Sequence, residues 1–174
     1  MMTGSSVFLR APEPSDASLL YTWENNPETW VAGDQPQALS LYQLESYLKD
    51  RSLNDLTVSG QQRWMICATR SRRPIGTIDL FEYRHIHARA GVGILIGDHK
   101  DRGKGKASEA LSVFLPYAFE VVNLRQVWCL IAPDNQASVN LFEYVGFVQQ
   151  GVFRNWIYRG PDAEDRLFYQ LLRS

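Results

Sequence analysis

Several features that mark particular protein classes are scarce in this 174-residue sequence. It holds only two cysteines. Cys67 and Cys129 are far apart and sit inside the apolar runs "WMICA" and "VWCLIA". That excludes a disulfide framework and fits inert core packing in a reducing cytoplasm. Neither sign of charge dominates: 18 Lys and Arg stand against 19 Asp and Glu, for a formal net charge of −1. Nothing global therefore attracts a nucleic acid, and any electrostatic recognition must be local. No apolar run approaches the roughly 20 residues of a membrane span. The opening "MMTGSSVFLRAPEPSD" has no basic segment followed by an apolar one, so no secretory signal is expected.

An ordinary globular composition remains, 45% hydrophobic and 21% charged, long enough for a sizeable core. With no repeat, low-complexity tract or linker, one domain over residues 1–174 is expected. "VFLR" (7–10) reads as a strand, and Ser15 as the N-cap of a helix carrying Leu19, Leu20 and Trp23. Ser40 caps a second helix with Leu41, Leu44, Tyr47 and Leu48 on one stripe. Three strand-like runs follow, at 63–70, 74–83 and 90–98, the first two joined by a tight turn at 72–74. "KASEALSVFLPYAFEVV" has a helical apolar face, interrupted by Pro116, which should kink or end the helix. A buried strand (125–132), a helix (135–146) closed by Gly146, and two last strands joined at "RGPDAED" complete the order. The expected class is α/β of the α+β type: a mixed, mostly antiparallel sheet of about seven strands flanked by about four helices.

The chemistry concentrates in "DHKDRGKGKASEAL" (98–111), where two glycines and four basic residues precede a helix. A Walker loop fails, because Gly103-Lys104 is followed by Gly105, and Gly105-Lys106 by Ala107. The dinucleotide fingerprint fails too, with Ser108 at the third glycine position. Arg102 to Ala107 fits R-x-x-G-x-A, after an apolar strand and before a helix. Unpaired N–H groups and the positive end of a helix dipole favour an anion there, a pyrophosphate included. A solvated basic turn shaped by its glycines is the plain alternative.

The later "N-x-x-S-x-x-L-F-x-x-x-G-F", Asn135 to Phe147, supplies a second element. With R-x-x-G-x-A in this order, the sequence resembles the GNAT superfamily of acetyl-CoA-dependent N-acetyltransferases over nearly its whole length. The nearest branch is that of the spermidine/spermine acetyltransferases and ribosomal-protein Nα-acetyltransferases. "LRAPEPSDASLLYTWENNP" and "IGTIDLFEYRHIHARAGVGILI" are similar to stretches of that branch.

The resemblance implies acetyl-CoA as cosubstrate and no metal. The pantetheine arm would lie in a V-shaped opening beside the 90–98 strand, bonded to the backbone of Ile94, Leu95 and Ile96. The pyrophosphate would sit on the N–H groups of Gly103, Lys104, Gly105, Lys106 and Ala107, with Arg102, Lys104 and Lys106 around it. Asn135 would bond the pantetheine, and Ser138 and Phe142 would line its thiol end. Catalytic candidates are Asp79, Glu82, Ser138 and Phe142. Asp79 and Glu82 match acids of the spermidine enzymes and suit a cationic acceptor. Phe142 stands where many relatives carry tyrosine, so no phenol is there to protonate the leaving thiolate. Gly91 and Gly93 occupy the region of a glutamate base used by several relatives.

His85 and His87 also count as proton acceptors, though as a pair they lack a third ligand for zinc. "TWVAGDQP" offers Ala32, Gly33 and only Asp34 where the spermidine enzymes have an acidic pair. The implied function is acetyl transfer to a primary amine in a ternary complex, with a polyamine-like acceptor. A protein N-terminus as acceptor, and a weakly catalytic acyl-CoA-binding module, stay open. The implied partners are acetyl-CoA and the amine, with no nucleic acid or membrane, in a homodimer or larger homo-oligomer.

Overall fold

The computed structural model describes residues 2–32, 37–50, 55–159 and 162–173, the side chains of 30–32 and 159 excepted. Eight strands form one sheet: β1 (Met2–Thr3), β2 (Val7–Arg10), β3 (Gln62–Ala68), β4 (Pro74–Arg84), β5 (Arg89–Ile96), β6 (Gln126–Ile131), β7 (Val148–Arg159) and β8 (Asp162–Leu172). Their spatial order is β1-β2-β3-β4-β5-β6-β8-β7. Every neighbouring pair is antiparallel except β5 and β6. The helices are α1 (Ala17–Glu24), α2 (Pro27–Ala32), α3 (Leu41–Lys49), α4 (Leu56–Ser59), α5 (Lys106–Pro116) and α6 (Gln136–Tyr144).

Alternation along the strands divides the core between the two faces of the sheet. On β6, Val127, Cys129 and Ile131 are buried while Gln126, Trp128 and Leu130 are half-exposed. The larger core joins those buried residues to Ile78, Leu80, Ala90 and Val92 of the central strands. Leu111 and Phe114 of α5 and Val139 and Phe142 of α6 pack there too. A smaller core gathers Phe8, Met65 and Cys67 with Leu20 and Trp23 of α1 and Leu44 of α3. Both thiols are buried and unpaired, and burial pushes them up, away from nucleophilic character.

Some local expectations are corrected. Ser15 is not the first N-cap. Pro14–Asp16 forms a 3-10 turn ahead of α1, with Glu13 as its cap. Proline at the first position sets the helical φ there. Asp16 accepts from the Glu13 N–H at 2.8 Å and from both terminal nitrogens of Arg10 at 2.7 and 2.8 Å. Ser40 does cap α3, in a reciprocal box with Gln43. The short helices α2 and α4 were not expected. Pro116 closes α5 and the chain continues as a π turn over Tyr117–Val121, since the proline has no N–H for the next α-type bond. His85–His87 is a 3-10 turn, not a strand face. Gly33 and Asp34 lie outside the described residues.

Candidate active site

The pairing of β5 with β6 ends early. Arg89, Ala90 and Gly91 pair with Gln126, Val127 and Trp128, but β5 continues to Ile96 and β6 to Ile131 without further partnership. The parallel strands diverge beyond Gly91 and leave one edge of each backbone open to a ligand. The chain after β5 crosses the end of this opening as a 3-10 turn (His99–Asp101) and the glycine loop, then enters α5.

Gly105 is the N-cap of α5, in the left-handed region at φ 73°, and Gly103 has φ 68°. A side chain at either would be strained, although neither lacks space. Among the described residues, the N–H groups of residues 103–107 reach no protein acceptor. They form an anion cradle at a helix N-terminus.

A cleft of about 390 Å³ connects the opening and the loop. Its walls include Ile94, Leu95 and Ile96 of β5, Arg102, Gly103, Gly105, Lys106 and Ala107 at the loop and the start of α5, Asn135 at the cap of α6, and Ser138 of α6. Most of the cofactor-binding residues expected from the sequence therefore converge. Lys104 is exposed outside the lining, and Phe142 is 4% exposed, in the core, packed edge-to-face on Phe147 at 5.0 Å. Leu141 lines the cleft instead. The Asn135 side chain caps α6, its Oδ1 accepting from the Ser138 N–H at 3.1 Å.

The loop's basic side chains are mostly engaged by the protein itself. Arg102 donates to the carbonyls of Ile96 at 3.1 Å and Gly97 at 3.3 Å. Lys106 Nζ lies 2.7 Å from Asp101 Oδ1, and Arg73 Nη2 2.7 Å from Asp101 Oδ2. Burial alone would raise the Asp101 carboxyl, but those two cations hold it below the usual carboxylate range. Asp101 is 4% exposed and fastens the loop from beneath. Sequence reasoning missed it, as it missed Glu28 and Thr29 of α2 at the cleft's mouth. Glu28 Oε2 lies 3.0 Å from His99 Nε2 and 3.3 Å from Arg102 Nη1. No spacing rule connects residues so far apart in sequence.

The acidic candidates have different surroundings. Asp79 Oδ1 is 2.6 Å from Arg63 Nε, and Arg63 Nη1 is 2.7 Å from Glu24 Oε1. Burial opposes the Arg63 charge, yet Asp79 and Glu24 more than offset it and raise the guanidinium's affinity for its proton. Glu82 is exposed, at φ 48° in the irregularity between Phe81 and Arg84. His85 and His87 are also exposed. His87 borders a second hollow of about 720 Å³ with Arg125 and Arg173. That hollow contains neither motif, so the smaller cleft is the candidate site. No cluster of three or more metal-type ligands occurs among the described residues, and no helix there is long and apolar enough to cross a membrane.

A sheet that splits between two parallel strands, with an anion cradle closing the split, defines a class of folds that can hold an elongated ligand bearing an anionic group. Within that class, this chain belongs to the GNAT acetyltransferases: a family model described as acetyltransferase (GNAT) domain matches residues 6–148. Spermidine N(1)-acetyltransferase of Vibrio cholerae is 28% identical over 147 residues, covering 84% of this chain and 82% of that protein. The enzyme of the same name from Escherichia coli K12 is 25% identical over 154 residues, covering 87% and 77%. A Vibrio cholerae spermidine N-acetyltransferase, solved as a dodecamer in an intermediate state, superposes with a TM-score of 0.80 at 26% identity, over 97% and 95% of the two chains. The protein is thus an N-acetyltransferase of a family that uses acetyl-CoA.

Proposed function

We propose that the chain transfers the acetyl group of acetyl-CoA to a primary amine by direct attack within a ternary complex. The observation that carries this reading is the cleft between the diverging strands, with the unpaired N–H groups of residues 103–107 at one end. The pyrophosphate would occupy that cradle, and the pantetheine would run along Ile94–Ile96 much as an added strand does. The neutral amine nitrogen attacks the thioester carbonyl carbon, the C–S bond breaks, and CoA leaves as thiolate. The products are the amide and CoA, with one proton released overall from the ammonium. Backbone N–H groups of β5 beyond Gly91, which have no rung with β6, would suit the oxyanion.

Proton handling has less support from side chains. Asp79 is bonded to Arg63, so water is the simplest carrier of the ammonium proton, with Asp79 beside its path. Phe142 has no hydroxyl, and Ser138, the α6 hydroxyl in the cleft, would act through a water. A thiol of pKa about 8.5 leaves without much help. The absent phenol also favours a second reading, a module that binds acyl-CoA and catalyses weakly. Thiol release with a panel of amines separates the two.

The relatives' names support a polyamine-like acceptor, and a protein N-terminus is the alternative within the same chemistry. Polyamines and short peptides are therefore the first amines to assay. The dodecameric relative supports a homo-oligomer for this chain. Gly105→Glu tests the cofactor site: the carboxylate would fill and repel at the diphosphate cradle. Calorimetric CoA binding should vanish, while the left-handed φ adds a stability loss of about 1–2 kcal/mol. Unchanged affinity in a folded variant would remove the assignment.

A further inference from the structure

One carboxylate connects the start of α5 to the edge of the sheet. Glu109 lies in the first turn of that helix and is half-buried. Its Oε1 accepts from the Ser5 hydroxyl at 2.7 Å and from the Ser6 N–H at 2.9 Å. Its Oε2 accepts from the Ser6 hydroxyl. The two serines belong to the turn between β1 and β2, which is itself fixed. The Gly4 N–H donates to the Val7 carbonyl at 2.8 Å, and the Ser6 carbonyl accepts from the Thr69 N–H at 2.9 Å. Burial would raise the Glu109 carboxyl, but the bonds from Ser6 and Ser5 hold it below the usual carboxylate range.

The backbone of the same residue closes the helix start. The Glu109 N–H donates to the Gly105 carbonyl at 3.0 Å, and the Ser108 hydroxyl donates to that carbonyl at 2.8 Å. Gly105 is the cap around which the anion cradle forms. Glu109 therefore joins the cradle to the sheet from one end, as Asp101 fastens it from the other through Lys106 and Arg73. Between these anchors stand Gly103 and Gly105, whose backbones have many conformations open to them unless they are held.

Apolar burial keeps α5 on the sheet: Ala110, Leu111 and Phe114 share the larger core with Val7 and Leu9 of β2. The Glu109 bonds lie near the surface, where such contacts add little to stability. What they fix is the geometry of the helix start.

We infer that Glu109 is a positioning residue for the cofactor: through Gly105 it holds the N–H groups of residues 103–107 in the arrangement that a diphosphate needs. This rests on the acetyl-CoA reading above and adds to it a residue outside the cleft lining. A cradle formed in advance spares the ligand the entropy of ordering the loop. A purely electrostatic role would have the opposite sign. A negative charge in the first turn draws on the same helix dipole as the diphosphate, and by that route Glu109 would weaken CoA binding. The donors on both of its oxygens favour positioning.

Calorimetric CoA binding, and steady-state thiol release with an amine that the wild type acetylates, test this on Glu109→Ala, Glu109→Gln and Gly4→Ala. Glu109→Ala should weaken CoA binding and raise KM for acetyl-CoA by about 10-fold, the scale of one loop residue ordered on binding. Its kcat and thermal midpoint should stay nearly unchanged. Glu109→Gln should restore most of the affinity, because the amide oxygen can replace Oε1 and the amide N–H can donate to the Ser6 hydroxyl. A Cβ at Gly4 would lie 2.5 Å from Glu109 Oε1. Gly4→Ala should therefore displace the carboxylate without altering α5, and weaken CoA binding as Glu109→Ala does. Equal or tighter binding in Glu109→Ala and Gly4→Ala overturns the inference and leaves the cofactor site standing. So does a fall in thermal midpoint with unchanged affinity, or a loss in Glu109→Gln as large as in Glu109→Ala. Failure of the wild-type chain to bind CoA overturns both.

Discussion

Glu28 brings a carboxylate to the mouth of the cleft, within 3.0 Å of His99 and 3.3 Å of Arg102, where the diphosphate would gather its own negative charge. Both contacts are solvent-exposed and weak. Glu28→Gln should therefore tighten CoA binding by about 2–5-fold in calorimetry at low salt, with less effect as salt rises. Weaker binding would mean that Glu28 serves by holding Arg102 in place. Phe142 raises the opposite question, a group that is missing. Restoring the hydroxyl with Phe142→Tyr should speed single-turnover thiol release by about 10-fold or less, because general acids contribute about 10²–10⁴-fold and a thiolate needs little help. Phe142 is 4% exposed, so the new hydroxyl must reach the cleft beside Leu141 or lose about 1–3 kcal/mol of stability if left unpaired. Level or slower turnover would assign protonation to water.

Among the elements, the turn before α5 depends most on one buried group. Asp101 joins Arg73, Lys106 and the helix start. Its depressed pKa means that it adds stability above the ordinary carboxylate range, and that this is lost as pH falls through its lower folded value. Asp101→Asn should cost about 1–3 kcal/mol at neutral pH, since Arg73 is 39% exposed and partly screened, and should flatten the acid limb of the stability curve. Thermal melts of both proteins from neutral pH downward measure this. An unchanged acid limb would mean that the carboxylate is not what fastens the loop. The elements legible in the sequence were those with both a pattern and a cap. Ser40 with its apolar stripe gave α3, and the glycine loop with its helical face gave α5. Asn135 and Gly146 bracketed α6. The helices α2 and α4 span too few residues for a period to show, and their partners are distant. His85 and His87 looked like a strand pair until the backbone turned at Ala88, which has φ 45°. The lining of the cleft was legible through the two motifs and the family resemblance they carry, at Ile94, Leu95, Ile96, Arg102, Gly103, Gly105, Lys106, Ala107, Asn135 and Ser138. It was not legible where tertiary packing brings in Glu28, Asp101 and Leu141.

The whole molecule is a sheet that must pair on both sides of a break. Strong antiparallel ladders, β2 to β5 on one side and β6, β8 and β7 on the other, allow only three rungs between β5 and β6, and the cleft results. The sequence did not reveal that β8 inserts between β6 and β7, because strand order depends on long-range pairing rather than on local pattern. Under the proposed function, the cleft presents an acetyl thioester directly to an amine, with no acyl-enzyme between them. Rapid mixing of the protein with acetyl-CoA, first alone and then with amine, tests it by following free thiol and acetylated amine together. Direct transfer predicts no thiol before amine is added, and afterwards one thiol for each amide formed. A burst of thiol without amine, with acetyl left on the protein, would contradict direct transfer, and silence with every amine would contradict transfer itself.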